Sequence, residues 1–268
     1  MEQRILREIW IYPIKSLGGI SLNEASILPK GIEHDRRWML IDEHNRFITQ
    51  RLHPVMALFK LSRIPGGIHI AFQQDGIDLL FHEPLLPEPI TATIWNDTVV
   101  EQEVNKKFSV WFSERMGFAC RLVAFPEVNP RAVDPAYAIN HEHVSLADAY
   151  PFLVISRASL ELLNSKLEEP VPMNRFRPNF VVDGCEPHEE DTWRDFTIGH
   201  VRFTGVKPCS RCVLITINQD TAEAGTEPLR TLATYRRNET KVLFGQNLLT
   251  HGTGTVRVGD VLRIESFR

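Results

Sequence analysis

The chain has 268 residues, with 30 Lys and Arg against 34 Asp and Glu, a formal net charge of −4. That near-balance removes the global basic field on which nucleic-acid binding depends, and the 43% hydrophobic and 24% charged fractions exclude disorder, collagen and coiled coil as the overall class. The length suits one large domain or two interleaved ones with ample chain for a core.

The first eight residues, Met1 to Glu8, carry acids and lack an apolar h-region, so no secretory signal is expected and a reducing cytoplasm is the default setting. No apolar run approaches the roughly 20 residues a bilayer needs; Tyr150 to Ser156 falls far short, and no membrane contact is expected. Short β-type runs then follow at Ile5 to Tyr12, Ile20 to Leu28, Arg37 to Ile41, Phe47 to Arg51, Leu58 to Ile64, Ile68 to Phe72, Ile90 to Trp95 and Thr98 to Val104. Gly, Pro and Asn/Asp clusters punctuate them, as in a barrel or sandwich. Phe108, Trp111, Phe112 and Met116 form an amphipathic stripe that predicts a helix over 105–116, stopped by Gly117. The segment Glu127 to His143, with Pro130 and Pro135 and few aliphatics, reads as a long loop and the boundary between domains, placed at 1–125 and 126–268.

Beyond it, Ser156 can cap a helix with Leu160, Leu163 and Leu167 on one face, ending before Pro170. Strands are expected at Phe180 to Val182, Phe196 to Thr204 and Val213 to Ile217, and a short helix from Pro228 to Tyr235. The tail Gly254 to Glu265 alternates around a Gly-Asp turn and predicts a closing hairpin. The fold class is mainly β with a few helices.

Four cysteines are too few for a disulfide scaffold in so long a chain. Cys120 and Cys185 read as buried small hydrophobes. Cys209 and Cys212 form a C-x-x-C flanked by Lys207 and Arg211, cations that should lower a neighbouring thiol's pKa. Three uses compete. Structural zinc would need two further ligands, and no second C-x-x-C exists. A thioredoxin-like dithiol normally opens a helix, whereas this pair leads into Val-Leu-Ile-Thr-Ile. The third is a single thiolate ligating a cofactor metal.

His141 and His143 are expected on a solvated loop, and Glu186 to Asp191 on a solvated acidic turn. Walker, dinucleotide and nucleophile-elbow patterns are absent. Basic residues sit beside small polar ones at Tyr12-Pro-Ile-Lys-Ser16, His34-Asp-Arg-Arg-Trp38, Thr49-Gln-Arg51 and Asn174-Arg-Phe-Arg-Pro-Asn179. An anionic phosphate needs such groups, although each taken alone reads equally as a surface ion pair.

Together with Lys207-Pro-Cys-Ser-Arg-Cys212, Phe244-Gly-Gln-Asn-Leu248 and Val258-Gly-Asp260, these segments resemble, in order and spacing from near residue 5 to near residue 265, the MOSC (molybdenum cofactor sulfurase C-terminal) family with its N-terminal β-barrel companion. YcbX-type bacterial proteins and the mitochondrial amidoxime-reducing component are similar. The resemblance implies a MOSC-type β-barrel core packed with an N-terminal β-barrel-like domain, and a molybdenum cofactor (Mo-molybdopterin). It implies Cys212 as metal ligand and catalytic residue, with Cys209 a neighbour that is not the ligand. Lys15, Ser16 and Arg36 are implied at the pterin phosphate region, with Arg177, Asn179 and Asn247 as further cofactor contacts.

The implied reaction is reduction of hydroxylamines, amidoximes or N-hydroxylated bases to amines, a detoxification chemistry. The alternative is a molybdenum cofactor or sulfur carrier without turnover. YcbX-type proteins commonly continue into a ferredoxin-like domain. This sequence has no C-x₄-C-x₂-C spacing for a [2Fe-2S] cluster, so a separate electron donor is expected, either a flavoprotein reductase or a ferredoxin-like protein. Pyridoxal phosphate, which serves the sulfurase domains that accompany MOSC domains elsewhere, is not expected here.

Overall fold

The computed structural model describes residues 3–268; Met1 and Glu2 of the N-terminal segment read above lie outside the described residues. Strands dominate the regular structure, and the largest sheet has nine of them. Across that sheet run Leu262–Phe267, Trp193–Ile198, Val201–Arg211, Lys241–Thr250, Phe152–Ser156, Phe180–Asp183, Ile5–Ile11 and Ile20–Leu22, with Arg237–Asn238 added beside Lys241–Thr250. Phe152–Ser156 and Phe180–Asp183 are parallel, joined through a helix, and the neighbouring pairs are antiparallel. Strand Ile5–Ile11 pairs with Phe180–Asp183, so the segments on either side of the expected 125/126 boundary share one sheet.

Alternation explains the buried side of that sheet. Phe152, Phe180, Phe196 and Phe203 are fully buried and meet with ring centres 5.4–5.9 Å apart. Burial of each such ring contributes roughly 1.5–3 kcal/mol. Two smaller sheets belong to the first half, one of Phe59–Ile64, Gly67–Phe72 and Asp75–Leu80, the other of Trp38–Ile41, Arg121–Ala124, Asp97–Glu103 and Pro89–Ile94.

Helix α1 spans Lys106–Met116. Asn105 caps it by accepting from Phe108 N, and Gly117 ends it in the left-handed conformation at φ 77°, as the sequence predicts. Helix α2, Arg157–Asn164, is capped by Ser156 with Leu163 buried. Helix α3 is Leu229–Tyr235.

Several expectations fail for identifiable reasons. Phe47 to Arg51 does not run as a strand: Phe47 makes only an isolated bridge with Ile41, and from Thr49 the chain curls, its carbonyl accepting from both Leu52 N and His53 N. Phe196 to Thr204 is two strands folded about Gly199, which sits at φ 57°. Val213 to Ile217 is also not a strand. Residues Val213–Thr216 form a 3₁₀ turn in which Ile215 N donates to Cys212 O and Thr216 Oγ1 donates to Val213 O, satisfying groups that a ladder would have used.

The tail is not a closing hairpin either. Gly254–Arg257 pairs with Glu24–Leu28, while Leu262–Phe267 pairs with Trp193–Ile198. The Gly-Asp turn between them closes locally, Asp260 N donating to Arg257 O, and also bonds to Leu6, with Gly259 N donating to Leu6 O and Leu6 N to Asp260 O, while the two arms go to different sheets. The acidic run at 186–191 is not a solvated turn. Glu190 is fully buried, accepting from Ser156 N and Ser159 Oγ, and Asp191 pairs with Arg236. Cys120 is buried as expected, whereas Cys185 is only half-buried. No helix among the described residues is long and apolar enough to cross a membrane.

Candidate functional site

A cleft of about 280 Å³ opens between the end of strand Val201–Arg211 and loops from the first half of the chain. Lys15, Ser16, Arg36, Arg177, Asn179, Asn247 and Cys212, separated by up to 232 positions in sequence, all line it. Its charged lining comprises seven cationic side chains and the single carboxylate of Asp148. In a chain of net charge −4, this is a strongly positive focus suited to an anionic ligand.

Strand geometry brings the two cysteines there. Residues three apart in a regular strand face opposite sides of the sheet. Register breaks between Gly205 and Lys207 and between Pro208 and Ser210 twist the strand's end, and both Cys209 and Cys212 line the cleft. Cys212 then begins the 3₁₀ turn, so this pair does not run on into a strand as its Val-Leu-Ile-Thr-Ile sequence suggests. Among the described residues no three His, Cys, Asp or Glu side chains converge as a structural zinc site would require. His141 and His143 lie in the loop, where Ala132 and His143 make an isolated bridge.

The cation beside Cys212 is not one of the two flanking it in sequence. Lys207 Nζ stands 4.2 Å from the Tyr137 ring centre, and Arg211 donates to Phe244 O at 2.9 Å and Phe176 O at 3.1 Å. Burial raises the Cys209 thiol, with Arg211 offsetting part of the effect, opposite to the lowering expected of flanking cations. Arg51 instead meets the sulfur: its Nε donates to Cys212 Sγ at 3.0 Å and its Nη2 to Asp148 Oδ2 at 2.9 Å. In the sequence Arg51 stands among the basic residues beside polar ones, a pattern that assigns it no particular role. Trp95 and Asp148 carry no local signal and were missed.

Asp148 organises this corner. It accepts from Lys15 Nζ at 2.5 Å and from Trp95 Nε1 at 3.3 Å as well as from Arg51. Desolvation would raise its carboxyl, but Lys15 and Arg51 outweigh that and hold it well below the usual carboxylate range. Desolvation lowers Lys15 to about 8 against the opposing pull of Asp148. Lys15 Nζ also donates to Leu146 O, leaving one of its three donors for a ligand.

The opposite wall is built on Tyr12 and Asp35. The guanidinium groups of Arg36 and Arg177 lie 4.5 and 4.1 Å from the Tyr12 ring centre. Tyr12 is buried, which raises its phenol to about 12, and its hydroxyl has no partner among the described residues. Buried Asp35 pairs with Arg36 and accepts from Tyr12 N. Asn179 uses all its hydrogen-bonding capacity within the protein. Its Oδ1 accepts from Arg36 and Leu153 N, and its Nδ2 donates to Trp10 O and Asp35. The amide therefore sits behind Arg36 and orients it. Ser16, Arg36, Trp95 and Arg177 all adopt φ between 51° and 69°. Left-handed backbone at four non-glycine positions of one cleft is strain kept where side chains are aimed.

Residues 3–118 match the MOSC N-terminal beta barrel domain and residues 141–263 match the MOSC domain. Mitochondrial amidoxime-reducing component 1 of Mus musculus is 34% identical, covering 94% of this chain and 80% of that protein. The Homo sapiens protein of that name is 31% identical with the same coverage. Molybdenum cofactor sulfurase of Oryza sativa subsp. japonica is 30% identical over 90% of this chain and 32% of its own length.

Proposed function

The chain belongs to the MOSC family, and from that premise we propose that it is a molybdenum-cofactor-dependent oxidoreductase. In this reading it reduces N-hydroxylated compounds, namely hydroxylamines, amidoximes and N-hydroxylated bases, to amines, with electrons from a separate partner protein. One juxtaposition carries the reading: a soft sulfur donor, Cys212, held by Arg51 and with Cys209 beside it, opens on a cleft whose charged lining is cationic apart from Asp148. Thiolate suits a soft transition metal, and forked guanidinium groups suit a phosphate. The donor set therefore fits a pterin-bound molybdenum.

When bound, that group supplies the two-electron couple that side chains lack. The reaction balances as R–NH–OH, two electrons and two protons giving R–NH₂ and water, with the N–O bond broken. Cys212 Sγ would hold the metal. The free donor of Lys15, Ser16 Oγ, Arg36, Arg177 and Asn247 would hold the pterin and its phosphate, and Asn179 would fix Arg36. Asp148, held ionised by Lys15 and Arg51, orients those cations and donates no proton at neutral pH. The electron donor in this reading is a flavoprotein reductase or a ferredoxin-like protein.

Similarity to the sulfurase favours one other reading, a carrier of the cofactor or of sulfur. Cofactor-loaded protein assayed with an amidoxime and a reduced viologen separates the possibilities. A reductase turns over, loses turnover in Cys212→Ser and keeps a good share in Cys209→Ser. A dithiol enzyme loses activity in both variants. A carrier holds molybdenum and turns over no N-hydroxylated substrate.

A further inference from the structure

Arg51 is the one cation whose side chain touches the sulfur of Cys212 among the described residues. It is fixed on three sides. The Trp95 ring centre lies 4.3 Å from the guanidinium, Asp148 Oδ2 lies 2.9 Å from Nη2, and Cys212 Sγ lies 3.0 Å from Nε. Trp95 reaches this position from the tight turn between strands Pro89–Ile94 and Asp97–Glu103, at φ 55°. Arg51 and its aromatic backing thus come from the first half of the chain, and the sulfur from the second.

We propose that Arg51 is a positioning residue for the Cys212 ligand: its Nε–H fixes the direction of the sulfur and draws electron density from it, so setting the reduction potential of the metal that the sulfur holds. The proposal rests on the reading of Cys212 as the molybdenum ligand. Hydrogen bonds to a ligand sulfur stabilise the more electron-rich state of a metal centre, and their loss lowers its potential. A guanidinium suits this task because its rigid plane can stack on Trp95 while its edge serves a carboxylate and a sulfur together. A lysine ammonium carries the same charge without the plane.

The test uses full-length protein produced in a host that makes the cofactor, with Arg51→Met, Arg51→Lys, Trp95→Ala and Trp95→Phe. Three quantities are read: molybdenum per chain, midpoint potential from a redox titration followed by electron paramagnetic resonance, and kcat and KM for an amidoxime with reduced viologen. Arg51→Met should keep its metal, shift the midpoint downward and lose roughly 10–100-fold in kcat with KM little changed. Arg51→Lys should recover part of both losses. Trp95→Ala, which frees the guanidinium without touching the sulfur, should shift the midpoint the same way by less, and Trp95→Phe should restore it.

Arg51→Met with wild-type potential and kcat would overturn the proposal, as would Arg51→Lys equal to wild type in all three readouts, which would reduce the role to bare charge. If Arg51→Met fails to fold or to load, the Trp95 pair decides, and Trp95→Ala at the wild-type potential refutes the proposal. Wild-type protein that takes up no molybdenum refutes the cofactor reading itself, a failure recognised before any variant is measured.

Discussion

Lys15 is buried among Asp148, Leu146 O and the ring of Phe47, and burial lowers its ammonium to about 8. Its charge is therefore largely in place at neutral pH and lost as pH rises through about 8. Sulfate, which does not itself titrate there, should bind the cofactor-free cleft progressively more weakly above that pH, as followed by calorimetry. Lys15→Arg should remove the dependence; an unchanged pH profile in that variant would contradict the assignment. The residues brought into the cleft by the fold were largely legible, because Lys15, Arg36, Arg177 and Cys212 sit in segments whose order and spacing resemble a family. The contact of Arg51 with Cys212 was not legible, since a hydrogen bond across 161 positions leaves no local pattern. Lys207 and Arg211 misled for the converse reason: adjacency in sequence puts a side chain near a thiol only if the backbone turns it that way.

Helix α1 was readable from its stripe and its Gly117 stop, as was the Ser156 cap of α2. The 3₁₀ turn after Cys212 was not, because Val, Leu, Ile and Thr read as strand until Thr216 claims a carbonyl three residues back. The long loop before residue 144 likewise read as a linker, yet it supplies Arg131. That buried guanidinium donates to Ser145 O at 2.7 Å, Ala147 O at 2.5 Å and Asp148 O at 3.3 Å, and pairs with Asp97. It thereby ties the segment carrying Asp148 to the hairpin that presents Trp95. Arg131→Met should speed amide exchange over residues 145–149 and weaken sulfate binding by the cleft. Exchange confined to its wild-type rate would show that the segment holds itself.

At the scale of the molecule, one sheet drawn from both halves presents a cationic cleft on a chain of net negative charge. The β-rich class was legible because strand alternation and turn residues are local, whereas Gly254–Arg257 and Leu262–Phe267 pair with Glu24–Leu28 and Trp193–Ile198, far away in sequence, and no local pattern marks those partners. The shared fold also buries Glu101 completely, with neither carboxylate oxygen partnered among the described residues. Burial raises its carboxyl to about 8, and Arg131 offsets part of the rise. The folded chain thus binds more protons than the unfolded one between the ordinary carboxyl range and pH 8, and stability should fall as pH rises through that window. Glu101→Gln should flatten the fall, read as a melting-temperature difference from wild type that widens toward pH 9; parallel curves would contradict it.

The proposed bond between Cys212 Sγ and molybdenum is read by X-ray absorption at the molybdenum edge. Wild-type protein from a cofactor-making host should show one sulfur neighbour more than Cys212→Ser prepared in the same way. An identical sulfur count in the two proteins, or zinc in place of molybdenum in the wild type, would contradict it.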